Sequence, residues 1–221
     1  MCSLSPVWPR IERNISQKRR IETKGAWAES FGNGQVFQKL TTLRLDCTHL
    51  PGLPAEFWSQ VPQLQTLDLS PNALSKDLVA GKYTEAANAQ LQALPDGLAS
   101  LYGMQEATCL SCLRVLVLKG CTSLRELPPG MEYLRVLETL NLTNCKSLVD
   151  LPIGLCSAFA DSSLKTLIMK GCTGIGTKEF SNMRTTTRLE SLTSLDLSYC
   201  DNMKAMPGLQ NFSVLEHLNI R

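Results

Sequence analysis

Leu113-Arg114-Val115-Leu116-Val117-Leu118-Lys119-Gly120-Cys121-Thr122-Ser123-Leu124-Arg125-Glu126-Leu127-Pro128 holds one complete phrase of a pattern that recurs along the chain. Its leucines Leu113, Leu116 and Leu118 follow the form L-x-x-L-x-L. The same form returns at Leu40-Leu43-Leu45, Leu64-Leu67-Leu69, Leu137-Leu140-Leu142, Leu164-Leu167-Met169, Leu192-Leu195-Leu197 and Leu215-Leu218-Ile220. Successive starts lie 24, 49, 24, 27, 28 and 23 residues apart. In an extended L-x-L the side chains alternate, so both leucines face inward and their neighbours face solvent. Three residues beyond the last leucine stands Thr48, Asn72, Cys121, Cys145, Cys172 or Cys200, followed by an apolar corner residue: Leu50, Leu74, Leu124, Leu148, Ile175 or Met203. An Asn there can bond backbone groups that the bend leaves unpaired, while Cys is a weaker donor that is small and readily buried. Proline after a later apolar residue, as in Leu53-Pro54, Leu94-Pro95, Leu127-Pro128, Leu151-Pro152 and Met206-Pro207, holds the backbone extended and stops a long helix.

The combined pattern L-x-x-L-x-L-x-x-N/C-x-L resembles the leucine-rich repeat family over residues 40–221. The resemblance implies an α/β solenoid: a horseshoe with a concave parallel β-sheet, about seven repeats with the last truncated, and a mostly irregular convex side with short helices. No coil buries its leucines alone, so stability must come from stacked neighbours. The domain division is then a basic lead-in or cap at 1–39 and a repeat domain at 40–221, with an insertion or degenerate repeat at about 75–112. Within that stretch an insertion through about Ser75–Gln90 is preferred, because a repeat laid back from Leu94-Pro95 puts Gly81, Thr84 and Ala86 where leucines belong. Thr84–Gln90 suits a helical turn or two, and Lys178–Met183 a convex helix. A cap helix is expected around Gly34–Lys39. At the other end the chain reaches Arg221 straight after the last phrase, without the polar cap usual for an end coil, so further repeats or another chain are expected to cover it.

Composition points the same way. Of 221 residues, 43% are hydrophobic, 19% charged and 6% aromatic, with a formal net charge of +2, which argues against disorder. Leucine supplies 37 residues. No apolar run reaches the roughly 18 residues of a membrane span, and the N-terminus lacks a secretory apolar stretch. The expected location is the cytoplasm, with the nucleus as an alternative given Lys18-Arg19-Arg20. Residues 1–39 carry seven Lys/Arg against three Asp/Glu, and the remainder fifteen against seventeen. The near-neutral remainder argues against a nucleic-acid groove. Nine cysteines without an export signal read as reduced, and the triplets at Asn14, Asn141 and Asn211 as chance.

Cys121, Cys145, Cys172 and Cys200, with Asn72 before them, share one repeat position and should form a buried structural ladder. Zinc needs ligands converging on one point, whereas a ladder spreads its thiols along the axis. Cys109-x-x-Cys112 lacks a second pair, and Cys112 directly precedes a strand leucine. Gly171–Lys178 approaches a phosphate loop, but Thr177 separates Gly176 from Lys178, and the repeat already assigns Cys172 and Ile175 to the core. His49 and His217 are far apart in the repeat frame. No catalytic constellation, metal site or cofactor is expected, and no small-molecule substrate, nucleic acid or membrane partner is inferred.

Function is therefore expected on the exposed strand positions, with a protein partner on the concave face. One column, Thr42, Thr66, Val115, Thr139, Thr166, Ser194 and His217, reads as β-propensity. In the next columns Val117, Asn141 and Ile168 lie beside Lys119 and Lys170, with Tyr199 nearby. Exposed apolar side chains rimmed by charge suit a protein-binding patch whose partner is acidic around an apolar spot. The runs Leu118–Pro128 and Leu142–Pro152 resemble the repeats of plant intracellular nucleotide-binding immune receptors, where L-x-G-C-x-S-L-x-x-L-P is frequent. That resemblance implies a recognition module for pathogen or host proteins in defense. Cys172–Phe180, with its 28-residue spacing, loosely resembles F-box substrate receptors, which implies the alternative of recruiting substrates to a ubiquitin ligase.

Overall fold

In the computed structural model of the chain, the described residues are 37–44, 58, 60–70, 110–127, 131, 134–149, 163–176, 191–203 and 212–221. Each L-x-x-L-x-L phrase makes one three-residue strand: β1 (Thr42–Arg44), β2 (Thr66–Asp68), β3 (Val115–Val117), β4 (Thr139–Asn141), β5 (Thr166–Ile168), β6 (Ser194–Asp196) and β7 (His217–Asn219). They form one sheet in chain order, every pair parallel. Its register aligns the middle leucines Leu43, Leu67, Leu116, Leu140, Leu167, Leu195 and Leu218. Seven in-register parallel strands in chain order make the sheet of a leucine-rich repeat solenoid. The 49-residue interval between Leu64 and Leu113 does not interrupt the sheet, since β2 pairs directly with β3.

Backbone hydrogen bonds continue beyond both ends of each three-residue ladder. On entering, one carbonyl accepts two successive amides of the next strand: Arg114 C=O takes Glu138 N–H and Thr139 N–H, and Glu138 C=O takes Lys165 N–H and Thr166 N–H. On leaving, the last core residue donates to the next strand, as in Leu118 N–H to Asn141 C=O at 2.8 Å and Leu142 N–H to Ile168 C=O at 2.7 Å. All three leucines of the phrases from β2 to β4 have 0% exposure. Around β7 the pattern opens, with Leu218 37% and Ile220 53% exposed.

One core column escapes the leucine phrase. Phe37, Val61, Leu110, Leu134 and Phe212 each stand three residues before a phrase, and their carbonyls accept the N–H of Leu40, Leu64, Leu113, Leu137 and Leu215. These turns tuck a further apolar side chain beneath the incoming strand, and Trp58 and Met131 repeat the step three residues earlier. Over its described part, the helix expected around Gly34–Lys39 is such a turn, because a single Leu40 N–H to Phe37 C=O bond at 3.1 Å already delivers the chain to β1. The other described returns are also turns, and no α-helix occurs among the described residues. The expected lead-in through residue 36, the stretch 75–109 and the helix at Lys178–Met183 lie outside the described residues.

Stacking leaves little room between coils. A Cβ on Gly174 would lie 2.5 Å from Leu148 O and 2.6 Å from Lys146 O, so the backbone of one coil rests directly on the coil before it. Leu140, fully buried at the middle of β4, should lose about 2–5 kcal/mol of stability on Leu140→Ala. Urea unfolding checks this, and an unmoved midpoint would contradict the register.

Candidate recognition surface

Where each strand ends the chain bends, and the carbonyl of its last core residue loses its place in the sheet. Leu118 C=O receives Cys121 N–H at 3.2 Å from its own coil and Cys145 Sγ at 3.2 Å from the next. Leu142 C=O receives Cys145 N–H and Cys172 Sγ, the latter at 3.0 Å. Met169 C=O receives Cys172 N–H and Cys200 Sγ, the latter at 3.1 Å. Cys121 Sγ lies at a longer 3.8 Å from Leu69 C=O. The four cysteines thus stand in one buried file, each thiol donating to the coil before it. At one strand spacing per thiol the file spans about 14 Å, so its members do not converge on a point. Asn72 lies outside the described residues.

Burial raises the thiol pKa at every rung. Desolvation, with a smaller contribution from Asp68, pushes Cys121 up to about 12. Desolvation and then the neighbouring Cys200 push Cys172 up to about 12. Cys145 and Cys200 are raised for the same leading reason. A raised native pKa means that an unfolded cysteine releases its proton first. The ladder's contribution is therefore complete below pH 9 and falls as pH climbs towards 12, by up to about 1.4 kcal/mol per thiol per pH unit.

The residue before each cysteine takes the left-handed conformation: Gly120 at φ 82°, Asn144 at 61°, Gly171 at 73° and Tyr199 at 61°. This reversal lets its N–H reach the next coil, as in Gly120 to Thr143 C=O and Tyr199 to Arg221 C=O, both at 2.7 Å. Gly171 is doubly constrained, because a Cβ there would overlap Asn144 Oδ1. Glycine and asparagine tolerate the geometry, whereas a β-carbon bearing a bulky ring costs about 1–2 kcal/mol. Tyr199 holds it nonetheless, 58% exposed, with Lys170 Nζ 5.3 Å from the ring centroid.

On the open face of the sheet Val117, Asn141 and Ile168 are direct neighbours on β3, β4 and β5. Val117 and Ile168 are half-buried rather than fully exposed, since each lies between two adjacent strands. Lys119, Lys170 and Tyr199 are exposed. Asn141 has a local task that the sequence reading did not assign: its Oδ1 accepts Thr143 N–H at 3.0 Å and Thr143 Oγ1–H at 2.7 Å. Asp196 does the same with Ser198, through N–H at 2.9 Å and Oγ–H at 2.6 Å, and Asp68 accepts Ser70 N–H at 2.9 Å. The signal was present as Asp/Asn-x-Ser/Thr at one repeat position, a spacing suited to Asx turns. Asp68 is also paired with Arg44 at 2.9 Å. Nearer the strand starts, Glu138 pairs with Arg114 and with Lys165, the second at 3.6 Å. Lys119, Lys170 and Arg221 have no carboxylate partner among the described residues.

No protein-family model matches the chain. The Arabidopsis thaliana "Protein SUPPRESSOR OF npr1-1, CONSTITUTIVE 1" is 32% identical over 117 residues, covering 44% of this chain and 8% of that protein. The chain thus matches only a small part of the length of this curated relative. Among solved structures, the leucine-rich repeat domain of the type III effector XopL covers 100% of this chain and 96% of its own, at 16% identity and a TM-score of 0.34. A leucine-rich repeat protein of Leptospira interrogans covers 87% of this chain and 56% of its own, at 20% identity and a TM-score of 0.35.

Two measurements probe the surface and its support. Alkylation at pH 8.5, mapped by peptide mass spectrometry, should label half-buried Cys112 ahead of Cys121, Cys145, Cys172 and Cys200, which react only once denaturant opens the stack. Labelling of the ladder in native buffer would contradict its burial. Tyr199→Asn should stabilise the fold by about 1 kcal/mol through relief of left-handed strain, and an unchanged or lowered unfolding midpoint would show that the ring supports the fold.

Proposed function

We propose that this chain is a non-catalytic recognition module that binds a protein partner on its concave face, around Val117, Asn141, Ile168, Lys119, Lys170 and Tyr199. The observation that carries this reading is the two cations Lys119 and Lys170, without a carboxylate partner among the described residues, each standing two residues beyond half-buried Val117 or Ile168 on a face whose neighbouring carboxylates already have internal partners. Apolar area with unsatisfied charge of one sign favours a complementary surface of the other sign. Every described cysteine has a place in the repeat, either in the ladder or beside a strand leucine, which supports a structural rather than chemical use of the thiols.

A finer reading is the sensing part of a plant immune-receptor-like protein acting in the cytoplasm. Its support is the L-x-G-C-x-S-L-x-x-L-P form at Leu118–Pro128 and the 32% identity to the Arabidopsis thaliana protein over 117 residues. The module then supplies specificity, and chemistry or signalling belongs to other domains or partners.

Charge reversal tests the recognition reading. Lys119→Glu with Lys170→Glu should abolish partner capture while circular dichroism and the unfolding midpoint stay unchanged. Lys146→Glu, an exposed site on the turn beyond the ladder, should leave capture intact. Capture that survives the double reversal would overturn the reading.

A further inference from the structure

From β2 to β6 the open face alternates with a period of two strands; β1, with Arg44 and Asp46 at the same two positions, and β7, with Asn219, depart from it. The even strands each carry an acidic or amide side chain folded onto its own turn: Asp68 over Ser70 after β2, Asn141 over Thr143 after β4, and Asp196 over Ser198 after β6. The last two also capture the hydroxyls of Thr143 and Ser198. At the same two repeat positions, β3 and β5 end in Val117 and Ile168, followed two residues on by Lys119 and Lys170. After β7 this row ends in the cation Arg221. Lys119, Lys170 and Arg221 therefore recur every second strand, while the side chains between them are bonded inward.

Two strand spacings are about 9.5 Å. Three residues of an extended polyproline II chain advance about 9.3 Å, so the two periods match to within a few tenths of an ångström. An α-helix comes back to the same face after seven residues and about 10.5 Å, and falls out of step by about 1 Å at each cation. On the foregoing reading that the concave face binds protein, we propose that the bound segment is an extended acidic peptide lying along the solenoid axis. Its carboxylates, three residues apart, pair in turn with Lys119, Lys170 and Arg221.

Tyr199 fits this register. It sits on the turn after β6, between the coils of Lys170 and Arg221, with its N–H on Arg221 C=O and its ring beside Lys170 Nζ. The ring offers a face to an apolar or proline residue between the second and third carboxylates, which accounts for an aromatic where the other coils place glycine or asparagine. Val117 and Ile168 set half-buried apolar surface beside the two exposed cations, for contact with an apolar residue of the segment.

Peptide rulers test the register on the full chain. Fluorescein-labelled repeats of Glu-Pro, Glu-Pro-Pro and Glu-Pro-Pro-Pro, with equal numbers of glutamates, space their carboxylates about 6, 9 and 12 Å apart. In polarisation titrations at low salt, the Glu-Pro-Pro peptide should bind about tenfold tighter than either of the others. Lys170→Ala, which removes the middle cation, should erase that preference, and Tyr199→Asn should weaken the Glu-Pro-Pro peptide alone. Equal affinity for the three spacings, or no binding of any, would overturn the register. If the Lys119→Glu with Lys170→Glu variant still loses its protein partner in that case, the concave-face reading survives without it. Capture unaffected by the double reversal would remove both.

Discussion

Each coil of this protein has to turn its backbone away from the sheet straight after burying a leucine, and the bend leaves a carbonyl with nowhere in the sheet to go. Leu118, Leu142 and Met169 meet that constraint alike, taking an amide from their own coil and a thiol from the following one. The amide already satisfies the carbonyl once, and the thiol fills its second acceptor site while finding a partner for its own buried S–H. The thiol also ties coil to coil beyond the end of the sheet, beside the backbone bonds from Gly120 to Thr143 and from Ser147 to Thr122. Burial in that seam pushes the thiol pKa values up and keeps the donors protonated.

The left-handed residue is the geometric partner of this arrangement. Having turned, the chain must present an N–H to the next coil, and the reversal at Gly120, Asn144, Gly171 and Tyr199 does so. The fold thus dictates two adjacent positions per coil, one by conformation and one by size and donor ability. Gly-Cys and Asn-Cys satisfy both. Tyr-Cys satisfies the second and strains the first, which makes the exposed ring of Tyr199 the place where local preference and global structure disagree.

The buried framework was legible because burial imposes a period. Leucines at fixed offsets and cysteines three residues beyond them have no other economical explanation, and the sheet aligns them as that period requires. The preceding core column was harder to see. Phe37, Val61, Leu110, Leu134 and Phe212 differ in identity, and they reach the core through turns rather than through strand alternation. On the open face, a list of columns placed Val117, Asn141 and Ile168 side by side correctly. It did not reveal that Asn141 bends onto Thr143 or that Val117 and Ile168 are half-covered by flanking strands. Those facts depend on rotamers and on the distance between coils, neither of which is written in a repeat pattern.

The fold of this protein repeats once per coil, whereas between β2 and β6 its open face alternates from coil to coil. Growth of the array by tandem copying of a single coil would preserve the leucines, the thiol seam and the turn, and would throw every cation beyond the new coil out of phase with those before it. Copying coils in pairs would lengthen the surface and keep its phase. Stability is thus indifferent to whether the number of added coils is odd or even, while the surface is not, so a lineage of such arrays has a means of altering recognition by gene rearrangement without disturbing a single buried contact type.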